Sequence, residues 1–154
     1  MATSASSPDA ACVAELLGRE PESHFEVVVR DANGEPVVLR NHPLMFNGRP
    51  MPTLYWLAGK DALRRVSRLE AAGGVRAAEA EIPAHEIAAV HARYAAERDA
   101  LIPPEHTGPR PSGGVAGTRQ GVKCLHAHYA YLLAGGDDPV GRWVAQRLEE
   151  DGSE

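Results

Sequence analysis

The stretch GVKCLHAHYAYLL, Gly121 to Leu133, gathers a lysine, one of two cysteines in the chain and two histidines within Lys123–His128. Three chemistries fit these residue types. A cysteine beside a histidine can act as nucleophile and base, thiol and imidazole can ligate a metal, and a cation at a helix start can hold an anion. As one continuous helix, the stretch places Cys124 and His126 about 160° apart, too far round to share a metal, whereas Cys124 and His128 stand at i and i+4. The same projection turns His126 toward the apolar side with Leu125 and Tyr129, and leaves Cys124 and Tyr131 opposite. Cys124 and His128 make two ligands where a closed zinc site takes about four. His24, His42, His85 and His106 could add to them only through tertiary contacts, and no CxxC or HExxH occurs. The sequence assigns no metal ligands and no cofactor. As a nucleophile, Cys124 gains from the helix start and from Lys123 and Arg119, all of which favour a thiolate, with His126 or His91 as base.

The segment before this helix, PSGGVAGTRQGVK, joins flexible glycines, a helix start, Arg119 and Lys123, the ingredients of an anion cradle. It is not a Walker A loop, because GxxxxGK[ST] is absent. Upstream, Ile87, Val90, His91, Tyr94, Arg98 and Leu101 form one stripe of a helix. His91 and Arg98 interrupt a face that should be buried, and a guanidinium there needs partners. Either Arg98 pairs with an internal carboxylate, Glu70 being a natural candidate, or it lines a cavity that receives an anion. His91 is either a satisfied core histidine or part of that cavity.

The elements that position these groups follow from pattern. Asp9 can cap a short helix ending at Gly18. HFEVVVR and EPVVLR, separated by Asp31-Ala32-Asn33-Gly34, read as an antiparallel hairpin, since Asn-Gly supplies positive φ. TLYWL, residues 53–57, is a third strand. From Lys60 the period is helical, with Leu63, Val66 and Leu69 on one side and Gly73-Gly74 as the stop. Pro83 opens the helix of the mixed stripe, which Pro103-Pro104 ends. Residues 105–121 form a long Pro/Gly-rich loop, Thr118 can cap the helix of the opening motif, and Asp138 before Pro139 caps the last helix.

With 154 residues, the chain fits one domain able to bury its own core. We expect a flexible arm over 1–8, a globular domain over 9–150 and an acidic tail over 151–154. Two cysteines make a poor disulfide framework and suit a reducing cytosol. No apolar run approaches the ~18 residues of a membrane span, and the N-terminus lacks the pattern of a secretion signal, so a cytoplasmic location is expected. The net charge of −5 argues against general nucleic-acid binding. The arginines at 64, 65 and 68 read as a solvated helix face.

PTLYWL (52–57), SRLEAAGGVR (67–76), HARYAAERDAL (91–101) and the Gly-Gly loop followed by VKCLH (122–126) together resemble the actinobacterial domain-of-unknown-function family numbered 501, over about Leu17 to Gly141. The resemblance implies a cytosolic bacterial protein without established activity, encoded near a septum-formation protein and an exopolyphosphatase-type phosphatase. It places recurring polar positions at Arg68, Glu70, His91, Tyr94, Arg98, Lys123, Cys124 and His126. Many members of that family carry a Cys-x-Cys in the first hairpin turn and another cysteine after the third strand. Here those places read Asp31-Ala32-Asn33 and Ala58-Gly59-Lys60, so a metal module would be degenerate in this chain.

The expected architecture is α+β: a small antiparallel sheet of about three strands packed against four or five helices. The leading functional expectation is a pocket for a small phosphorylated or otherwise anionic ligand. Arg98, Arg119, Lys123, Arg68, Glu70 and Tyr94 would bind it, and Cys124, His126 and His91 would supply any catalysis. A non-catalytic interaction protein with a protein partner in division or envelope functions, marked by an exposed apolar patch, and a degenerate metal module are the alternatives.

Overall fold

The computed structural model describes residues 7–152. Most of the expected arm, and the last residues of the expected acidic tail, lie outside them. Helix α1 spans Ser7–Leu17 and stops at Gly18, whose φ is +73°. Asp9 lies inside its first turn instead of capping it, and its carboxylate holds Arg30 at 2.7 and 3.0 Å.

The hairpin forms where the Asn-Gly turn directs it. Strands β1 (Phe25–Arg30) and β2 (Pro36–Asn41) pair antiparallel, with Phe25 opposite Asn41 and Val27 opposite Leu39. Asp31 accepts the N–H groups of Asn33 and Glu35 at 2.8 and 3.0 Å, and Gly34 takes φ +81°. Strand β3 (Tyr55–Leu57) pairs antiparallel with the other side of β2, so the order is β1-β2-β3 and β3 is an edge. Strand alternation sends neighbouring side chains to opposite faces. Val38, Tyr55 and Leu57 join the main core, whereas Leu39 packs with Phe25, Val13, Leu16 and Trp56. Both faces of the sheet are thereby covered, one by α1 and the other by the remaining helices.

Those helices are α2 (Lys60–Ala71), α3 (Gly74–Glu81), α4 (Ala84–Asp99), α5 (Leu125–Leu133) and α6 (Pro139–Gly152), with a single 3₁₀ turn at Val115–Gly117. The described residues thus hold an α+β fold of three strands and six helices. The additional helix is α3. Gly73, at φ +90°, turns the chain, and helix resumes at once from Gly74. A Cβ on Gly74 would lie 2.7 Å from the Leu69 carbonyl oxygen and 2.9 Å from Leu125 Cδ1, so only glycine lets α2, α3 and α5 meet this closely. Pro83 is the N-cap of α4. Asp138 caps α6 as expected, accepting the N–H groups of Val140 and Gly141 at 2.8 and 3.0 Å. No helix among the described residues is long and apolar enough to cross a membrane.

Candidate functional site

The opening motif is not one continuous helix. Cys124 is extended, at φ −150° and ψ 156°, and α5 begins only at Leu125. Carboxylates from elsewhere in the chain take the amides that would have extended it. Glu79 accepts the Val122 N–H at 2.8 Å, and Glu70 accepts the Leu125 N–H at 2.6 Å. The helix start is therefore capped by Glu70 from α2, not by Thr118. It follows that the 160° separation of Cys124 and His126, valid only within a helix, does not hold. Their ligand atoms lie within 4.8 Å of one another and of a Glu70 carboxylate oxygen.

The histidines also exchange roles. His128, with its side chain 1% exposed, is bonded through Nδ1 to Asp138 Oδ2 at 2.7 Å. His126 is the accessible one, at 26%. Its Nδ1 is 3.0 Å from Glu70 Oε2 and its Nε2 is 3.2 Å from Ser67 Oγ. Tyr131, expected outside, is buried and stacks on Tyr55. Helix α5 packs between β3 and α6 and touches α2 as well, so it has no single apolar face for a projection to find.

Burial pushes the Cys124 thiol up, and the charge of Glu70 adds to this, while the amides of Ala127 and His126 and the charge of Lys123 pull the other way. Desolvation leads, so the thiol is protonated at neutral pH and the expected thiolate stabilisation is outweighed.

The polar residues that interrupt the α4 stripe are buried, and each bonds to the backbone of a neighbouring segment. His91 accepts the Val115 N–H on Nδ1 at 3.1 Å, and its Nε2 lies 2.7 Å from the Gly121 carbonyl. Accepting on Nδ1 leaves the proton on Nε2, as a donor to Gly121. Tyr94 Oη accepts the N–H groups of Leu54 and Tyr55 at 2.6 and 3.0 Å. Arg98, 1% exposed, donates to the carbonyls of Pro52 and Gly113, both at 3.1 Å, and to Asp99 Oδ1 at 3.0 Å. The expected partnership of Arg98 with Glu70 is absent, because Glu70 is engaged at the start of α5. In effect α4 supplies hydrogen bonds at the entry to the edge strand and fastens the long loop to it. The glycines of that loop serve packing: a Cβ on Gly114 would stand 2.4 Å from His91 Cβ.

Lys123, Cys124 and His126 line one cavity of about 360 Å³ beside β3, together with Arg19, Thr53 and Tyr55. Its lining includes two cations and no carboxylate. Burial and then its bond to Glu97 push the Tyr55 hydroxyl up to about 12, so it is neutral and donates to Glu97 Oε1 at 2.8 Å. His91 and Arg119 line a separate cavity of about 280 Å³ with Ile87 and Gln120. Arg98 and Tyr94 line neither, and Arg68 is exposed in the last turn of α2. The nine candidate positions thus divide. Lys123, Cys124, His126 and Glu70 come together, His91, Tyr94 and Arg98 form the internal polar spine, and Arg68 and Arg119 lie apart. Arg19 and Ser67 are neighbours that sequence reasoning missed. Arg19 depends on how α1 crosses the sheet, but Ser67 at i−3 from Glu70 was readable as a companion on the same helix face.

No curated protein and no solved structure matches the chain. One family, described as a protein of unknown function, DUF501, matches residues 27–146, which take in most of β1, all of β2 and β3, the whole of α2 to α5 and all four of the clustered candidates, but not Arg19. The chain belongs to the DUF501 family.

Proposed function

We propose that the protein binds a small anionic ligand, such as a phosphorylated metabolite, in the cavity between the edge strand β3 and the start of α5. The observation that carries this reading is the charge of the lining: Lys123 and Arg19 line a space that no carboxylate lines, so an anion entering it meets cations on its wall, with Glu70 beside Cys124 and His126 and Glu22 bonded to Arg19 at 3.2 Å. Thr53 adds a hydrogen-bonding residue to the same wall. His126, held between Glu70 and Ser67, can exchange a proton with a bound ligand. Cys124 enters as a neutral thiol in the wall and not as a resting thiolate. Arg98, His91 and Tyr94 act by holding the segments that form the cavity.

The interaction-protein alternative has less behind it. Among the described residues the exposed large apolar side chains are Val28 and Phe46, which do not amount to a broad patch. Calorimetric titration with inorganic phosphate, pyrophosphate and a panel of sugar phosphates tests the anion reading. Binding by one class that is lost in Lys123→Ala, with the fold retained by circular dichroism, is the expected result. No binding by any class, or binding indifferent to Lys123, overturns it.

A further inference from the structure

We propose that Glu70, Cys124 and His126 form a zinc site with one coordination position open to the cavity beside β3. The three ligand atoms, one carboxylate oxygen, one sulfur and one ring nitrogen, already lie within 4.8 Å of one another. A tetrahedral zinc ion with ligands at about 2.0–2.3 Å needs them roughly 3.3–3.8 Å apart, so closure takes about 1 Å of side-chain movement. Two features of the fold favour that movement ending in a metal site. Cys124 is the extended residue just before α5, so its side chain is not fixed to a helix face, and Glu70 and His126 are each oriented by a further bond. The Leu125 N–H holds the Glu70 carboxylate at 2.6 Å. Ser67 Oγ stands 3.2 Å from His126 Nε2, where it accepts that nitrogen's proton when Nδ1 turns to a metal.

The chemistry of the set selects zinc. Thiolate with imidazole and carboxylate suits a borderline-soft ion, and hard ions such as magnesium or calcium prefer all-oxygen shells. On binding, the Cys124 thiol releases its proton to solvent, and neutral His126 presents Nδ1 to the metal with its one ring proton on Nε2, where Ser67 Oγ accepts it. Three protein ligands leave a fourth position, the arrangement of open zinc sites. Here it faces the space lined by Lys123 and Arg19, where water or an anion can complete the shell. The site goes beyond the anion reading and stands without it, because the three ligands are distinct from Lys123.

The full chain, in a Cys12→Ser background to remove the other thiol, is stripped with chelator, loaded with Zn²⁺ or Co²⁺ and freed of excess ion. Elemental analysis should find one metal per chain. The Co²⁺ form should show thiolate-to-cobalt charge-transfer absorption and tetrahedral visible bands. Cys124→Ser should abolish the charge-transfer band, His126→Ala should abolish stoichiometric metal, and Ser67→Ala should weaken binding by about tenfold or more. Glu70→Gln keeps an oxygen able to accept the Leu125 N–H but removes the carboxylate, so it should weaken metal binding with the fold retained. Lys123→Ala should leave one metal bound per chain, so loss of anion binding and loss of metal are read separately. Absence of stoichiometric metal, or a Co²⁺ spectrum indifferent to Cys124→Ser, overturns the proposal.

Discussion

Replacing Arg98 by methionine keeps an unbranched side chain in the α4 stripe and removes the guanidinium that fastens two distant segments. The charged donors to the Pro52 and Gly113 carbonyls, both at 3.1 Å in a side chain 1% exposed, are lost. Each hydrogen bond from a buried charged group contributes about 1.5–3 kcal/mol, so the pair amounts to about 3–6 kcal/mol. The Asp99 contact adds little, because that carboxylate is 47% exposed. Against a typical domain stability of about 5–15 kcal/mol, this is a large fraction. With a urea slope of about 2 kcal/mol per molar, the unfolding midpoint should fall by roughly 1.5–3 M. Urea titration followed by the fluorescence of Trp56 and Trp143 measures it, since both indoles pack in the folded structure. If Arg98 instead existed to receive a ligand, removing an uncompensated buried charge would leave stability unchanged or raised. A midpoint shift below about 0.5 M would refute the assignment of Arg98 to the internal spine.

Other perturbations follow from the same contacts. Asp138→Ala removes the α6 cap and orphans the buried His128, and should cost about 2–4 kcal/mol in chemical denaturation. Gly114→Ala drives a Cβ to within 2.5 Å of the His91 backbone, so it should lower the thermal midpoint and loosen loop 105–121, read as faster amide exchange at Val115. Burial lowers the His91 pKa below its ordinary 6.5, with Gly121 raising it, His128 lowering it and Asp138 raising it. Its contribution to stability is therefore complete above about pH 6.5 and is lost as pH falls through the lower folded value. His91→Gln should flatten the stability–pH curve in that window relative to the parent, as measured by urea midpoints from pH 7 to 4.5.

Local rules carried the elements whose signals are local. Asn33-Gly34 fixed the hairpin, and Asp138-Pro139 fixed the start of α6, because a turn or cap needs only its own residues. The α4 stripe likewise placed His91, Tyr94 and Arg98 on one buried face by spacing alone. What spacing could not supply was their partners, which are backbone groups 15 to 46 residues away. The start of α5 was illegible for a related reason: Glu70 and Glu79 reach it through space, more than forty residues along the chain, and stop the helix short of Cys124. That one displacement changed the chemistry, bringing Cys124 to His126 where a continuous helix would have parted them. Helix α3 was missed because Gly73-Gly74 reads as a stop, yet tertiary packing on Leu69 and Leu125 requires glycine there and the helix continues beyond it.

The cavity beside β3 is tested most directly by recording backbone amide shifts of the ¹⁵N-labelled chain during titration with the anion that calorimetry identifies, or with pyrophosphate when none stands out. Saturable shifts clustered on Thr53, Lys123, Cys124 and His126 are the expected result, since these residues line the space that Lys123 and Arg19 charge. Shifts centred on Arg119, Gln120 and His91, or none that saturate, would contradict it.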